Sequence, residues 1–180
     1  MRTQKLEGFI IKRTNLGEAD RFLTVFTREH GKMSIKAKGV RRITSRRSSH
    51  IELLNLTSLT VYRGKGTPIL TEAIVLDTFL HIKEDLQKIV YAYHICELLN
   101  GLCPENQELH DIYLLVKQLF AFSFMDKDIP DIVHQFEIDL LRKLGFWPYD
   151  RDLSLSQTSH IIENILERKL KSRQIIPKLL

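Results

Sequence analysis

Cysteine is nearly absent from this chain: Cys96 and Cys103 are the only two among 180 residues. Two are too few for a disulfide framework. Six residues lie between them, which is wrong for a zinc knuckle, so both read as buried thiols behaving like small apolar groups. No apolar run approaches the ~18 residues needed to cross a bilayer. Met1 to Glu7 lack the apolar stretch of a secretory signal, so the expectation is a soluble, cytoplasmic protein. The sequon Asn55-Leu56-Thr57 then carries no meaning. Catalytic signatures are missing as well. There is no HExxH, and Gly64-Lys65-Gly66 has neither the spacing nor the following helix of a phosphate loop. The seven histidines are scattered, and His94 shares a helical stretch with Cys96 but with no further ligands. Asp126, Asp128 and Asp131 flank a helix start, where carboxylates serve as caps and dipole partners. The chain is therefore expected to be no enzyme, with no metal and no cofactor.

One absence is informative in the other direction. Between Glu29 and Glu52 there is no acidic residue, yet Lys32, Lys36, Lys38, Arg41, Arg42, Arg46 and Arg47 fall there. A solvated strand and loop normally mix signs, so this density of one sign points to phosphate contact. Ser45, Ser48 and Ser49 add hydroxyl donors of the kind that supplement Arg and Lys at phosphates. The wider balance agrees. Residues 1–80 carry 15 basic and 7 acidic side chains, whereas residues 81–180 carry 12 and 15. An anionic partner, most often nucleic acid, belongs to the first half. Phe9, Phe22 and Phe26 sit in apolar surroundings and are expected in the core. Tyr62, beside Arg63 and near Lys65, is then the one candidate to stack on a base. Backbone clamping with weak sequence specificity is the chemistry this implies.

The first 80 residues read as five short strands with turn signals at close spacing. They are Gly8–Arg13, Phe22–Thr27, Met33–Lys38, Leu53–Arg63 and Ile69–Phe79. In the third, Met33, Ile35 and Ala37 face inward, while Ser34, Lys36 and Lys38 share the outer face. A five-stranded OB-type barrel is the commonest such object of this size. At Lys83 the period changes to that of a helix. Successive helices follow from Leu86 to an Asn100-Gly101 stop, from Leu109 to Phe120, from Pro130 to Leu144, after Ser156, and after a Ser172 cap. The class is α+β: an OB-type nucleic-acid-binding domain over 1–80, then an α-helical domain over 81–180. On composition alone an RNA-binding OB protein of the translation apparatus fits as well as a DNA-binding one.

The ordered segments resemble a known family, the bacterial RecO recombination and repair proteins. They are Glu7-Gly8-Phe9-Ile10-Ile11, Leu16-Gly17-Glu18-Ala19-Asp20-Arg21, Val25-Phe26-Thr27 with Gly31-Lys32, and Lys36-Ala37-Lys38-Gly39-Val40-Arg41. Thr71-Glu72-Ala73, Phe136-Glu137-Ile138-Asp139-Leu140-Leu141 with Leu144-Gly145-Phe146, and Leu170-Lys171-Ser172-Arg173 continue the match. The resemblance implies a mediator that binds single- and double-stranded DNA, anneals strands and, with RecR, loads RecA onto DNA coated by single-strand-binding protein. It also implies a nucleoid-associated protein whose helical domain holds that protein's acidic, apolar-ended tail. Arg142, Lys143, Arg168, Lys169, Lys171 and Arg173 are the cations placed to do so, with Lys178 beyond them. Many relatives carry a four-cysteine zinc cluster and a longer segment before the last helices. Here no cysteine follows Cys103, and only Tyr149 to Ser156 fill that gap, which resembles a trimmed form.

Overall fold

The computed structural model describes residues 3–122, 124 and 128–179, with side chains to 177. Asp126 lies outside the described residues, as does the Lys178 side chain. The chain forms two compact units. One comprises Met1–Phe79 with Pro104–His110; the other comprises Leu80–Cys103 with Asp111–Leu180. The division near residue 80 follows the change of hydrophobic period. The return of Pro104–His110 to the first unit has no periodic signal and is absent from the sequence reading.

In the first unit β1 (Thr3–Leu16), β2 (Asp20–Thr27), β3 (Gly31–Ala37), β4 (Leu56–Tyr62) and β5 (Ile69–Asp77) close in the order β1-β2-β3-β5-β4. That order is the five-stranded OB arrangement. β1 is long enough to serve two partners: Thr3–Phe9 pair with β4, and Gly8–Leu16 with β2. A bulge between Ile10 and Lys12 bends it from one to the other. Gly8 sits at the bend because a Cβ there would meet Val25 Cγ1 at 2.7 Å and the Phe26 carbonyl at 2.8 Å. Closure between β3 and β5 is parallel and rests on the single pair Lys36↔Ile69, reinforced by the Lys36 N–H donating to the Pro68 carbonyl at 2.8 Å. The alternation expected of β3 is present: Met33, Ile35 and Ala37 are buried against Leu6, Ile10 and Leu23.

The second unit contains α1 (Leu80–Lys83), α2 (Leu86–Leu102), α3 (His110–Ala121), α4 (Ile129–Lys143), α5 (Leu155–Leu166) and α6 (Lys171–Leu179). Asp85 caps α2 by accepting from the Lys88 N–H at 3.1 Å. Three helix ends differ from the expectation. Asn100-Gly101 does not stop α2; Gly101 lies inside it, where a Cβ would meet Leu166 Cδ2 of α5 at 2.7 Å. The glycine permits close helix packing instead of a turn. Ser154, not Ser156, caps α5, forming a reciprocal capping box with Gln157. Ser172 is the second residue of α6, and its hydroxyl faces inward.

Candidate nucleic-acid interface

Alternation places a specific set of side chains on the outer face of β1–β2–β3. Leu23, Val25 and Ile35 are buried inside, so their neighbours face out. The register then makes two rows, Lys12–Thr24–Ser34 and Thr14–Phe22–Lys36. Phe22 was expected in the core with Phe9 and Phe26. Those two are buried, whereas Phe22 is half-buried on the outer face directly opposite Lys36. Phe22 and Phe26 share the strand phase opposite Leu23 and Val25, yet Phe26 is 0% exposed, so phase alone does not decide which ring is covered. Lys12 is exposed on the same face and lies outside the one-sign run.

Beyond β3 the chain from Lys38 to Ser48 forms a loop fixed at several points. The Gly39 N–H donates to Asp20 Oδ1 at 2.8 Å, and the Arg41 N–H donates to the Ala19 carbonyl at 3.0 Å. Arg41 Nη1 donates to the Gly17 carbonyl at 2.7 Å. Arg47 donates through its two terminal nitrogens to the carbonyls of Leu70 and Lys38, both at 2.8 Å. The loop is thus tied to the β1–β2 turn on one side and to β5 on the other. Asp20 lies 3.4 Å from Lys36 Nζ. The Gly39 N–H, with help from Lys36 and Lys38, holds its carboxyl below the usual range.

What remains is an open concavity of about 520 Å³ lined by Asp20, Lys38, Arg42, Ser45, Arg46 and Arg47, among others. Lys38, Arg42 and Arg46 are exposed, and the lone carboxylate is already engaged. The Ser45 Oγ is shielded from solvent without a hydrogen-bond partner. Lys32 departs from the expected set. It is 8% exposed, and Pro104–His110 runs against it: the backbones of Lys32 and Glu105 form a parallel β-bridge, and the Lys32 carbonyl accepts from the Asn106 N–H at 2.8 Å. Arg63 is half-buried with a terminal nitrogen 3.9 Å from Met33 Sδ. Tyr62 is 45% exposed, and Lys65 stands open on the β4–β5 turn.

The helical cations are arranged differently. Arg173 donates to Glu137 Oε1 and Oε2 at 2.6 and 2.7 Å, and His94 Nε2 lies 2.6 Å from the same carboxylate. Arg168 reaches Glu97 Oε1 at 2.6 Å. Glu97 also accepts from the N–H groups of Lys171 and Ser172 and from the Ser172 hydroxyl, at 3.1, 2.9 and 2.7 Å. Arg142 is turned onto the carbonyls of Asp150 and Arg151 and onto Asp152. Of the six cations expected to receive a partner, Lys143, Arg168, Lys169 and Lys171 are exposed, Arg168 while held by Glu97 and Lys143 while 3.7 Å from exposed Asp111. A cavity of about 340 Å³ lies beside this network, lined by Tyr91, Val133, Leu155, Ile176, Glu137 and Arg173 among others. Burial pushes the Cys96 thiol up to about 12. Among the described residues no His, Cys, Asp and Glu cluster could hold a metal, and no helix is long and apolar enough to cross a membrane.

Residues 1–79 match the family model for the recombination protein O N terminal, and residues 83–151 match that for the recombination protein O C terminal. The DNA repair protein RecO of Acetivibrio thermocellus is 34% identical over 146 residues, covering 81% of this chain and 58% of that protein. Its counterpart in Symbiobacterium thermophilum is 31% identical over 149 residues, covering 82% and 59%. That of Dehalococcoides mccartyi is 33% identical over 150 residues, covering 82% and 58%. The chain therefore spans under two thirds of the length of these relatives.

Proposed function

The chain belongs to the recombination protein O family, and on that premise we propose that it is a non-enzymatic DNA-binding mediator of recombinational repair. The observation that supports this best is the outer barrel face. Lys12, Lys36, Lys38, Arg42 and Arg46 project there beside a fixed loop, and the neighbouring carboxylate, Asp20 of β2, is already engaged by the Gly39 N–H and Lys36. Cations held in advance neutralise backbone phosphates of either single or double strands, and with few stackers the bases stay free to pair. Strand annealing needs only that. In the family's manner the protein then works with RecR to load RecA.

Salt dependence of binding tests the reading. About five phosphate contacts give slopes of log K against log salt of roughly −3.5 on single strands and −4.5 on duplex. Arg42→Ala with Arg46→Ala is expected to flatten the duplex slope by about 2 and to weaken unrelated sequences alike. An unchanged slope, or preferential competition by unlabelled RNA, overturns the reading.

The second half of the proposal is a docking role for the helical unit toward the acidic, apolar-ended tail of single-strand-binding protein. Lys143, Lys169 and Lys171 are exposed cations not drawn onto the Glu97 or Glu137 carboxylates, and they offer themselves to the tail's carboxylates. A tail peptide followed by fluorescence anisotropy is expected to weaken by threefold or more, about 0.65 kcal/mol, on Lys143→Ala or Lys171→Ala. No change in either variant removes this surface from the proposal.

A further inference from the structure

Ile43 is the outlier of the protein surface. It is 106% exposed, as open as in an extended chain, whereas the next most exposed large apolar side chain among the described residues is Phe122 at 72%. A single exposed apolar residue is ordinary; its position here is not. Ile43 stands at the tip of the basic loop, with Arg41 and Arg42 before it and Arg46 and Arg47 after it. The loop is tied on both sides of the tip, through Gly39 to Asp20, through Arg41 to Gly17, and through Arg47 to Leu70. The chain thus holds an isoleucine in water at a fixed place among cations. The side chain leaves water only when something arrives at that loop.

We propose that Ile43 is a wedge that packs against base faces and directs the loop to DNA whose bases are already unstacked. Flanking Arg42 and Arg46 hold the backbone phosphates while the tip enters between neighbouring bases. Entering an intact duplex requires breaking a base stack, at a cost of the same order as the gain from burying one isoleucine. On single strands, gaps and frayed ends that cost is already met, so the gain is net. The wedge therefore favours the substrates of a repair mediator without reading sequence. The inference rests on the DNA-binding reading above. An apolar tip among cations also suits an anionic lipid surface. What favours DNA is the outer strand face beside the loop, where Phe22 stands opposite Lys36 and places a ring for a base next to a cation for a phosphate.

The test is Ile43→Ser in the full chain, with Ile43→Leu as the conservative control. Affinities are measured at one fixed salt for a single-stranded oligonucleotide, a gapped duplex and an intact duplex. Because Ile43 is fully exposed, the melting temperature should not move. Ile43→Ser is expected to weaken the single-stranded and gapped ligands about fivefold and the intact duplex less than twofold, with the salt slope unchanged and affinity restored by leucine. A 2-aminopurine base at the gap should lose its fluorescence change in the serine variant alone. Equal losses on all three ligands, or none on any, overturn the wedge. A loss confined to vesicles of phosphatidylglycerol and phosphatidylcholine also overturns it and assigns the tip to lipid. If the native chain binds no DNA in a salt-dependent way, the underlying reading fails. If it binds, and loses affinity with Arg42→Ala and Arg46→Ala but not with Ile43→Ser, only the wedge fails.

Discussion

In the barrel unit Arg42 and Arg46 stand exposed beside a carboxylate already held by Gly39 and Lys36, whereas in the helical unit Arg168 and Arg173 are drawn onto Glu97 and Glu137. Both regions are rich in cations. The difference lies in where the carboxylates are. The barrel's basic run contains none between Glu29 and Glu52, so its acids must come from the β1–β2 turn. The helical unit has more acids than bases, and two of them sit where α6 meets α2 and α4. Cations there are structural, holding α6 in place, while those of the barrel loop remain available to an outside anion.

Removing a carboxylate from the helical network is the most severe way to test that contrast. Glu137 is 1% exposed, and its removal leaves Arg173 and His94 without their common partner. Breaking a buried pair from one side typically costs about 3–5 kcal/mol, and Glu137→Ala is expected to lose that much in urea unfolding followed by helical signal. Arg46→Ala in the barrel loop should stay within about 0.5 kcal/mol, as ordinary surface substitutions do. If the two variants lose similar stability, the contrast between structural and available cations collapses.

Acid provides a graded version of the same test. Burial alone would raise the carboxyl of Glu97, but the Ser172 N–H, Arg168, the Ser172 hydroxyl and the Lys171 N–H outweigh it and hold the group down to about 2. The group binds protons more weakly in the folded state than in the unfolded one. Its stabilisation is therefore complete above the ordinary value of 4.5 and is lost as pH falls toward about 2. Stability measured across that window should fall more steeply in the native chain than in Glu97→Gln. Parallel curves would mean that Glu97 does not hold the start of α6.

The sequence carried much of this, and the gaps have physical causes. Strands and helices were legible because periods of 2 and 3.6 are local properties, and so was the one-sign run on β3 and its loop. Helix ends were less so. Gly101 looks like a stop until Leu166, far along the chain, explains its missing Cβ. Ser172 looks like a cap until Glu97 supplies the cap from α2. The same limit applies to the candidate site. Nothing near Arg47 in sequence announces that the Leu70 carbonyl will take its guanidinium, nor does anything near Arg173 announce Glu137. Charge is visible in a sequence, but its availability depends on partners brought in by the fold. Phe22 obeys the same limit: phase turns both it and Phe26 away from Leu23 and Val25, and only the fold covers Phe26.

The smallest expected effect sharpens the comparison most, because it separates charge from position at one residue. Asp20 both sets a negative charge beside the basic loop proposed to meet DNA and latches that loop by accepting from the Gly39 N–H at 2.8 Å. Asp20→Asn and Asp20→Ala remove the same charge. Asparagine keeps a carbonyl oxygen for the Gly39 N–H, whereas alanine keeps nothing. If only charge matters, both variants bind DNA more tightly than the native chain, and equally so. If the latch matters, Asn tightens binding while Ala leaves the loop to be ordered at each encounter, an entropic cost charged to binding. One hydrogen bond of about 1 kcal/mol separates the two variants, roughly fivefold in affinity, with Ala the weaker. Both should give the same salt slope, since neither changes the number of phosphates met. Equal affinities for the two variants would show that the Asp20–Gly39 tie does not matter for binding and that Asp20 acts through its charge alone.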